Sequence, residues 1–537
     1  MWQKIRTFRL KGFLKKRARR LIHFLSKKFD ITIVEIKNHT NIQQKKSNLS
    51  QKSLFALWQE LYVFEKKYPV NILKIQNIYI YPFLRNYIWF RLTLLHNKNK
   101  DINSPYLLQG GGEINFPYRM REVIKSKFNA KEVQDLPTEQ TNILFFIHIS
   151  SGENVKINGK IYQRLSDPFI EEFSKITTVK KIGILKSLDV NLLPNEFFIP
   201  YMPLMYPYVY KQGYSKELSF SFDFLKVLQE AIPSLVFTKE SLEMFFDWEF
   251  FIKDWYKELL LKIKPKLVIC HHLQWNAPLF AAAHELNIKT ADIQDGELIG
   301  GVNPTYNGWS KIIPNEGYES LPDYFFMRSD KDFEHIKKEF LGLKHKPILL
   351  GNPYLQMQKK FISLNIKNKY NHILSKYDKI VIFLLGHDLP SIFKEIVANS
   401  SSDILFIVRH HPNPAKKFTI NDFINIPYNN LLMNSDFDTC LIGELFNICN
   451  YAVSAGSAAS KEFVQWKKNV TSFVFDKITS VHYKAEVENG HLIWINNAQE
   501  FYEHLKNKTI SKPFNEMNID TQKLIQKFIS EELNLDI

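Results

Sequence analysis

The chain has 537 residues, with 71 Lys plus Arg against 55 Asp plus Glu, a formal net charge of +16. That length serves two domains with a full core each, and 45% hydrophobic with 23% charged residues excludes an intrinsically disordered chain. The positive balance draws phosphates, on nucleic acid, lipid or nucleotide, without choosing among them.

Residues 1–29 interleave Lys4, Arg6, Arg9, Arg19 and Arg20 with Trp2, Ile5, Phe8, Leu10, Leu14, Leu21 and Leu25. Leu10, Leu14, Leu21 and Leu25 fall near one face of a helix, which makes a basic amphipathic helix on an anionic membrane surface one reading. A solvated basic tail, or a helix packed on its own domain, is the other. No run approaches the ~18–20 apolar residues that cross a bilayer. The N-terminus also lacks the apolar core and cleavage site of a secretory signal. The expected location is therefore the cytoplasm, peripheral on the inner face of the membrane.

Residues 38–53 read as an exposed linker, and 54–67 has helical spacing. Ile78-Tyr79-Ile80-Tyr81-Pro82 reads as a strand ending at its proline, with helical periodicity resuming over 85–95. Gln109-Gly110-Gly111-Gly112-Glu113 follows no clear strand and lacks Lys-Ser/Thr, so it reads as a turn rather than a phosphate loop. The run 142–149 is a buried strand whose exit places His148 and Ser150 either toward a cleft or in a structural role.

A Pro- and Tyr-rich region (195–215) and helical patterns (221–262) lead to a strand over 266–270 that ends in His271-His272. A helix over 276–286 and a strand over 289–293 follow. That strand exits into Gln294-Asp295-Gly296-Glu297 and a long loop containing Pro304, Pro314 and Pro322. Strand, helix, strand is the rhythm of a parallel sheet with covered faces, Rossmann-like from about residue 140.

Gly351-Asn352-Pro353 breaks both helix and strand, and the inter-domain boundary is expected there. A second series begins with a strand over 379–385 into Gly386-His387-Asp388, then a helix near 390–398 and a strand over 403–408 into Arg409-His410-His411-Pro412. A helix over 440–449, strand 451–453, the turn 454–460, a helix carrying Glu462, strand 470–475 and terminal helices complete the chain. The expected fold class is α/β, with two Rossmann-like domains facing across a cleft. The expected divisions are a basic segment 1–30, an N-terminal domain 31–350, a C-terminal domain 351–505 and C-terminal helices 506–537.

Chemistry concentrates at strand exits, where open α/β sheets hold ligands. Gly386 with His387, Arg409 with His410 and His411, and Ser454 through Gly456 and Ser457 to Ser460 would lie side by side. Small residues allow close backbone approach, helix N-termini present N–H groups, and Arg and His supply charge, which together suit a phosphate cradle. Glu462 could accept two ribose hydroxyls or serve as a helix-dipole partner. His411, its turn fixed by Pro412, could donate a proton or hydrogen bond to a departing nucleotide. Asp295 or Glu297, at the corresponding exit of the first domain, could deprotonate an acceptor hydroxyl or merely cap a loop.

Metal readings are poor. The side chains of His271-His272 and His410-His411 should diverge from an extended backbone. Asp436-Phe437-Asp438 resembles the Asp-x-Asp of metal-dependent sugar transferases but reads as a helix N-cap. Cys270, Cys440 and Cys449 are too scattered for a zinc cluster or disulfide framework and suit a reducing compartment.

As an ordered set, Asp295-Gly296, Gly351-Asn352-Pro353, His411-Pro412 and Gly456-Ser457 with Glu462 resemble the GT-B glycosyltransferases of bacterial surface polysaccharide synthesis. The likeness is to the capsule-synthesis branch and the bacterial sialyltransferases, and covers roughly residues 265–475. Only one acidic residue precedes Gly296, and Gly456 stands where that family commonly has Thr or Ser. The resemblance implies a first domain that holds the acceptor and a second that binds a nucleotide-sugar, CMP-activated acidic sugars among the candidates. It further implies Asp295 as general base, His411 as general acid or phosphate partner, and Ser457 with Arg409 on the donor phosphate. Neither a metal nor another cofactor is required. The expected partners are that donor, a glycan or lipid-linked acceptor and an anionic membrane surface through residues 1–29, with no nucleic acid. A CDP-glycerol-type glycerophosphotransferase is the enzymatic alternative, and a basic nucleic-acid-binding or scaffold protein the non-enzymatic one.

Overall fold

Apolar runs in this chain become strands buried on both faces. In the computed structural model Ile143, Leu144, Phe145, Phe146 and Ile147 are each 0% exposed, the pattern a parallel sheet covered by helices imposes. The structure describes residues 54–98, 139–149, 154–157, 160–185, 196–200, 222–294, 303–342, 344–386, 389–411, 418–423, 430–455, 457–475, 483–514 and 519–535. The basic segment 1–29, the linker 38–53 and the glycine run 110–112 lie outside them.

Lys74–Ile75 (β1) and Ile78–Tyr79 (β2) form a short antiparallel pair. Ile143–Ile149 (β3) is followed by a hairpin of Asn154–Ile157 (β4) and Lys160–Gln163 (β5). Then come Val179–Leu185 (β6), Glu196–Pro200 (β7), Leu267–His271 (β8), Lys289–Ile293 (β9), Tyr324–Met327 (β10) and Lys346–Leu349 (β11). The first sheet has the order β11-β10-β9-β8-β3-β6-β7, with every pairing parallel.

Strand alternation divides its core. Leu144 and Phe146 pack toward the helices Leu54–Lys67, Tyr81–Lys98 and Lys239–Ile263. Ile143, Phe145 and Ile147 pack toward helix Asp167–Ser174 and the terminal helix Thr521–Leu533. That terminal helix returns from the far end of the chain, placing Ile525, Phe528 and Ile529 against Tyr324 and Phe326 of the first sheet.

One expected strand is shorter than its sequence suggests. β2 stops at Tyr79, and Tyr81 and Pro82 open helix Tyr81–Lys98 instead. Proline is at home in a first helical turn, where its missing N–H removes no bond and its fixed φ suits the helix.

The second sheet uses Lys379–Leu384 (β12), Ile404–Arg409 (β13), Leu431–Met433 (β14), Tyr451–Ser454 (β15), Thr471–Val474 (β16) and Ile493–Trp494 (β17). Its order is β14-β13-β12-β15-β16-β17, again all parallel. Val381, Phe383 and Phe406 face helix Ser391–Ala398, and Ile382, Leu405 and Ile407 face helices Asn365–Leu374 and Ile442–Ile448. The expected class is the one observed: α/β, with two Rossmann-like domains.

Between the domains the chain passes Gly351, whose φ of +77° suits glycine. A Cβ there would stand 2.9 Å from Ile519 Cγ2. The carboxyl edges of the two sheets face each other. Lys331, just beyond β10, donates to Glu486 Oε1 and Oε2 at 2.5 and 2.6 Å, and Glu486 follows β16. Among the described residues no helix is long and apolar enough to cross a membrane.

Candidate functional site

β12 lies between β13 and β15, with Leu384 in register with both Arg409 and Ser454. Gly386, Arg409 to His411, and Ser454 to Ser457 therefore share one sheet edge, the edge that faces the first domain. A Cβ on Gly386 would meet Ala455 O at 3.9 Å, so the fold itself leaves room there. His387, Pro412 and Gly456 lie outside the described residues, as do Asp295 and Glu297.

Arg409 and His410 are bonded within their own domain. Arg409 Nη1 donates to Phe437 O at 2.7 Å and Cys440 O at 3.1 Å, closing the carboxyl end of helix Ser435–Thr439. Burial pushes the neighbouring Cys440 thiol up to about 11, with Arg409 acting against that rise. His410 Nδ1 lies 3.1 Å from both Asp438 oxygens, its Nε2 lies 3.0 Å from Phe418 O, and its backbone N–H donates to Asp438 Oδ1 at 2.9 Å. His411 is half-buried at the same exit.

The Asp-x-Asp run does not cap its helix. Asn434 takes that position and accepts from Asp436 N at 3.0 Å. Asp436 meets Lys369 and Tyr370, while Asp438 meets His410.

Beyond β15 the chain turns into helix Ala459–Trp466. Ser454 Oγ accepts from Ser457 N at 2.9 Å, and Ser457 Oγ accepts from Ala459 N at 3.3 Å. Ser460 N and Lys461 N reach Ser457 O and Ala458 O, so this turn satisfies several of its own amides. Ser460 Oγ is buried without a hydrogen-bond partner among the described residues. Glu462 is 5% exposed in the helix's first turn.

Glu462, Arg409 and Arg164 of the first domain converge electrostatically on Tyr354, a buried residue of helix Pro353–Phe361. Burial pushes this phenol up to about 12, with Arg164 and Arg409 opposing the rise and Glu462 reinforcing it. Tyr162 of β5 packs with Tyr354 and Met357, so the β4–β5 hairpin supplies part of the first domain's wall.

At the opposite exit, Gln294 Nε2 donates to Asp332 Oδ2 at 2.9 Å and its Oε1 accepts from Arg328 N at 2.9 Å. Burial disfavours charge on Asp332, but Lys461, Gln294, Ser329 and Lys331 outweigh it and hold the carboxyl below its usual range. Arg85 of helix Tyr81–Lys98 grips the segment from Pro304 to Trp309. Arg85 donates to Pro304 O and, at 2.7 Å, to Asn307 O, and its guanidinium lies 4.3 Å from the Trp309 ring centroid. Arg85, Tyr354 and Lys461 escape sequence reasoning, and Asp438 is read there as a cap, because their partners are remote in the chain. Only Asp332 carries a local signal, Ser329-x-x-Asp332, in which Ser329 caps helix Asp330–Glu339.

His271 and His272 do not diverge as expected, since their ring centroids are 4.3 Å apart. Alternation holds only within a strand, and His272 leaves β8 in the left-handed region with φ 65°. His148 falls within β3. Among the described residues no group of three or more His, Cys, Asp or Glu is arranged to hold a metal ion.

No protein-family model and no curated protein matches the chain. Several solved structures are similar in overall course. The S. aureus MnaA–UDP structure is 13% identical over 74% of this chain and 98% of that one, with a TM-score of 0.44. UDP-GlcNAc 2-epimerase from Neisseria meningitidis, bound to UDP-GlcNAc, is 14% identical over 73% of this chain and 100% of that one, with a TM-score of 0.45. A variant of the wall teichoic acid polymerase TagF soaked with CDPG is 10% identical over 77% and 88%, with a TM-score of 0.38.

Proposed function

We propose that the protein is a GT-B-type glycosyltransferase that moves a sugar from a nucleotide donor to a bacterial surface glycan acceptor. The observation that carries this reading is the alignment of Gly386, Arg409 to His411 and Ser454 to Ser457 along one sheet edge facing the first domain. Charge from both domains meets there at Tyr354.

In this scheme the second domain holds the nucleotide. Glu462 takes the ribose hydroxyls, Ser457 and Arg409 lie toward the phosphates, and His411 donates to the departing phosphate oxygen. Asp295, carried by the exit that Gln294 anchors, accepts the acceptor's hydroxyl proton. The acceptor oxygen then bonds to the anomeric carbon as the bond from that carbon to the phosphate oxygen breaks. Protein groups, rather than a metal, neutralise the leaving phosphate, and CMP-linked acidic sugars are among the candidate donors. The basic segment 1–29 would hold the enzyme against anionic lipid beneath its acceptor.

Incubation with CMP-N-acetylneuraminate, UDP-N-acetylglucosamine, GDP-mannose and CDP-glycerol tests the reading. Sugar transfer with release of the matching nucleotide is expected. Nucleotide release from CDP-glycerol alone would replace it with glycerophosphate transfer. Sedimentation with anionic vesicles tests the basic segment, and equal pelleting of the full chain and a chain lacking 1–29 would remove its role.

A further inference from the structure

We propose that Asp438 is a positioning residue for this site, fixing the exit of β13 so that His411 is directed at the reacting phosphate. This rests on the glycosyl-transfer reading above. Helix Ser435–Thr439 has no need of Asp438 at its N-terminus, since Asn434 caps it and Asp436 is engaged by Lys369 and Tyr370. Asp438 instead faces back to the strand exit. It takes the backbone N–H of His410 at 2.9 Å and lies 3.1 Å from Nδ1 through each carboxylate oxygen.

The far side of the ring is held as well, by Phe418 O at 3.0 Å from Nε2. Both ring nitrogens are therefore engaged within the domain, one by the carboxylate and one by the carbonyl, and neither is left for a ligand. One residue earlier, Arg409 reaches Phe437 O and Cys440 O, which flank Asp438 in sequence. The same short helix therefore staples two consecutive residues immediately before His411. Holding both the ring and the backbone N–H of His410 against this helix fixes the backbone from which His411 departs, and with it the arc open to that side chain. A misplacement of about 1 Å at a catalytic group can cost about 10²-fold in rate, which gives such a staple its kinetic weight.

The test uses the full chain and four variants: Asp438→Ala, Asp438→Asn, His411→Ala and the Asp438→Ala/His411→Ala double. Nucleotide release is followed from whichever of the four donors above the parent turns over. Asp438→Ala should lower kcat about tenfold or more with donor KM within about twofold. Asp438→Asn keeps one acceptor for the His410 N–H and should recover part of that loss. In the His411→Ala background, Asp438→Ala should have no further effect, because it acts through His411.

Full kcat in Asp438→Ala, or independent multiplying losses in the double variant, would overturn the proposal. Should Asp438→Ala fail to fold, Asp438→Asn decides alone, and an unchanged kcat there overturns it. Hydrogen exchange supplies a donor-free readout. The peptide carrying His410 should exchange about tenfold faster in Asp438→Asn or Asp438→Ala while β12 and β15 stay protected, and unchanged exchange would also overturn it. Parental activity in His411→Ala would overturn it as well, since Asp438 would then have no reacting group to direct, whereas nucleotide release from CDP-glycerol alone would sink the glycosyl-transfer reading and leave the Asp438 test intact on that donor.

Discussion

Lys461 Nζ stands 3.7 Å from Asp332 Oδ2 across the boundary between the two domains, with both side chains at most 4% exposed. The same ammonium lies 3.7 Å from Glu486 Oε1, and Glu486 is in turn bonded to Lys331. The contact joins the helix carrying Glu462 to the helix that holds Gln294, and so ties the two walls of the cleft. Removing one partner of a buried charge group leaves the others uncompensated. Lys461→Met should lower unfolding stability by about 3–5 kcal/mol in urea denaturation. Asp332 also gives the parent a sign in pH. Its depressed folded pKa means its contribution is present above the ordinary Asp value and is lost as pH falls through the folded value. Lys461→Met should move that acid loss to higher pH.

Glu249, on helix Lys239–Ile263, is buried, and burial raises its carboxyl to about 8. Its Oε2 has no hydrogen-bond partner among the described groups. A folded pKa raised above the unfolded one holds a proton that unfolding releases. The associated stability is fully present below about 4.5 and is lost as pH rises through about 8. Across that window the loss is about 1.4 kcal/mol per pH unit. Glu249→Gln should leave the melting midpoint near its parental value at pH 4 and raise it progressively toward pH 8. A constant difference at both ends would show that burial does not control this carboxyl.

The strands that can be read from sequence are those whose apolar runs need no partner to explain them: β3, β8, β9, β12, β13, β15 and β16. β6 hides because Lys180 and Lys181 interrupt it, and Lys181 is tolerated inside only because its Nζ meets Asp167 Oδ1 at 2.6 Å. β10 hides for another reason. Tyr324 to Met327 is four residues beside a Pro-rich loop, too short for a period to declare itself. The adjacency of the Gly386, Arg409 and Ser454 exits could be expected because parallel strands alternating with helices leave all exits on one edge. Asp438's attachment to His410 spans 28 residues and follows from no local pattern, so the residue looked like a cap.

Arg85 is 1% exposed and joins three elements: Glu65 on the preceding helix, the loop carbonyls of Pro304 and Asn307, and the Trp309 ring. A guanidinium serves all three because its planar fork donates in several directions while one face stacks. Lysine has a single donor centre. Arg85→Lys should therefore lower stability by about 2–3 kcal/mol despite conserving charge, while Arg85→Met, which strands Glu65, should cost more. Hydrogen exchange in the peptide from Thr305 to Trp309 should quicken in both variants. Unchanged exchange with lowered stability would confine Arg85 to the core.

Arg409 and His411 sit two residues apart at one exit yet should respond differently to mutation. Arg409 closes helix Ser435–Thr439 through Nη1, so Arg409→Met removes bonds to two backbone carbonyls and should cost about 1–3 kcal/mol of stability besides any effect on transfer. His411, in the proposed role, acts on the leaving phosphate, and general acid catalysis is worth about 10²–10⁴-fold. His411→Ala should lower kcat by about that factor with its melting midpoint within about 1 °C of the parent, since a half-buried exit side chain away from the core carries little stability. Paired thermal melts and steady-state rates on the two variants separate the roles. A large stability loss in His411→Ala with kcat intact would make His411 a second brace beside His410 and move the search for the acid to the other exits of the same edge.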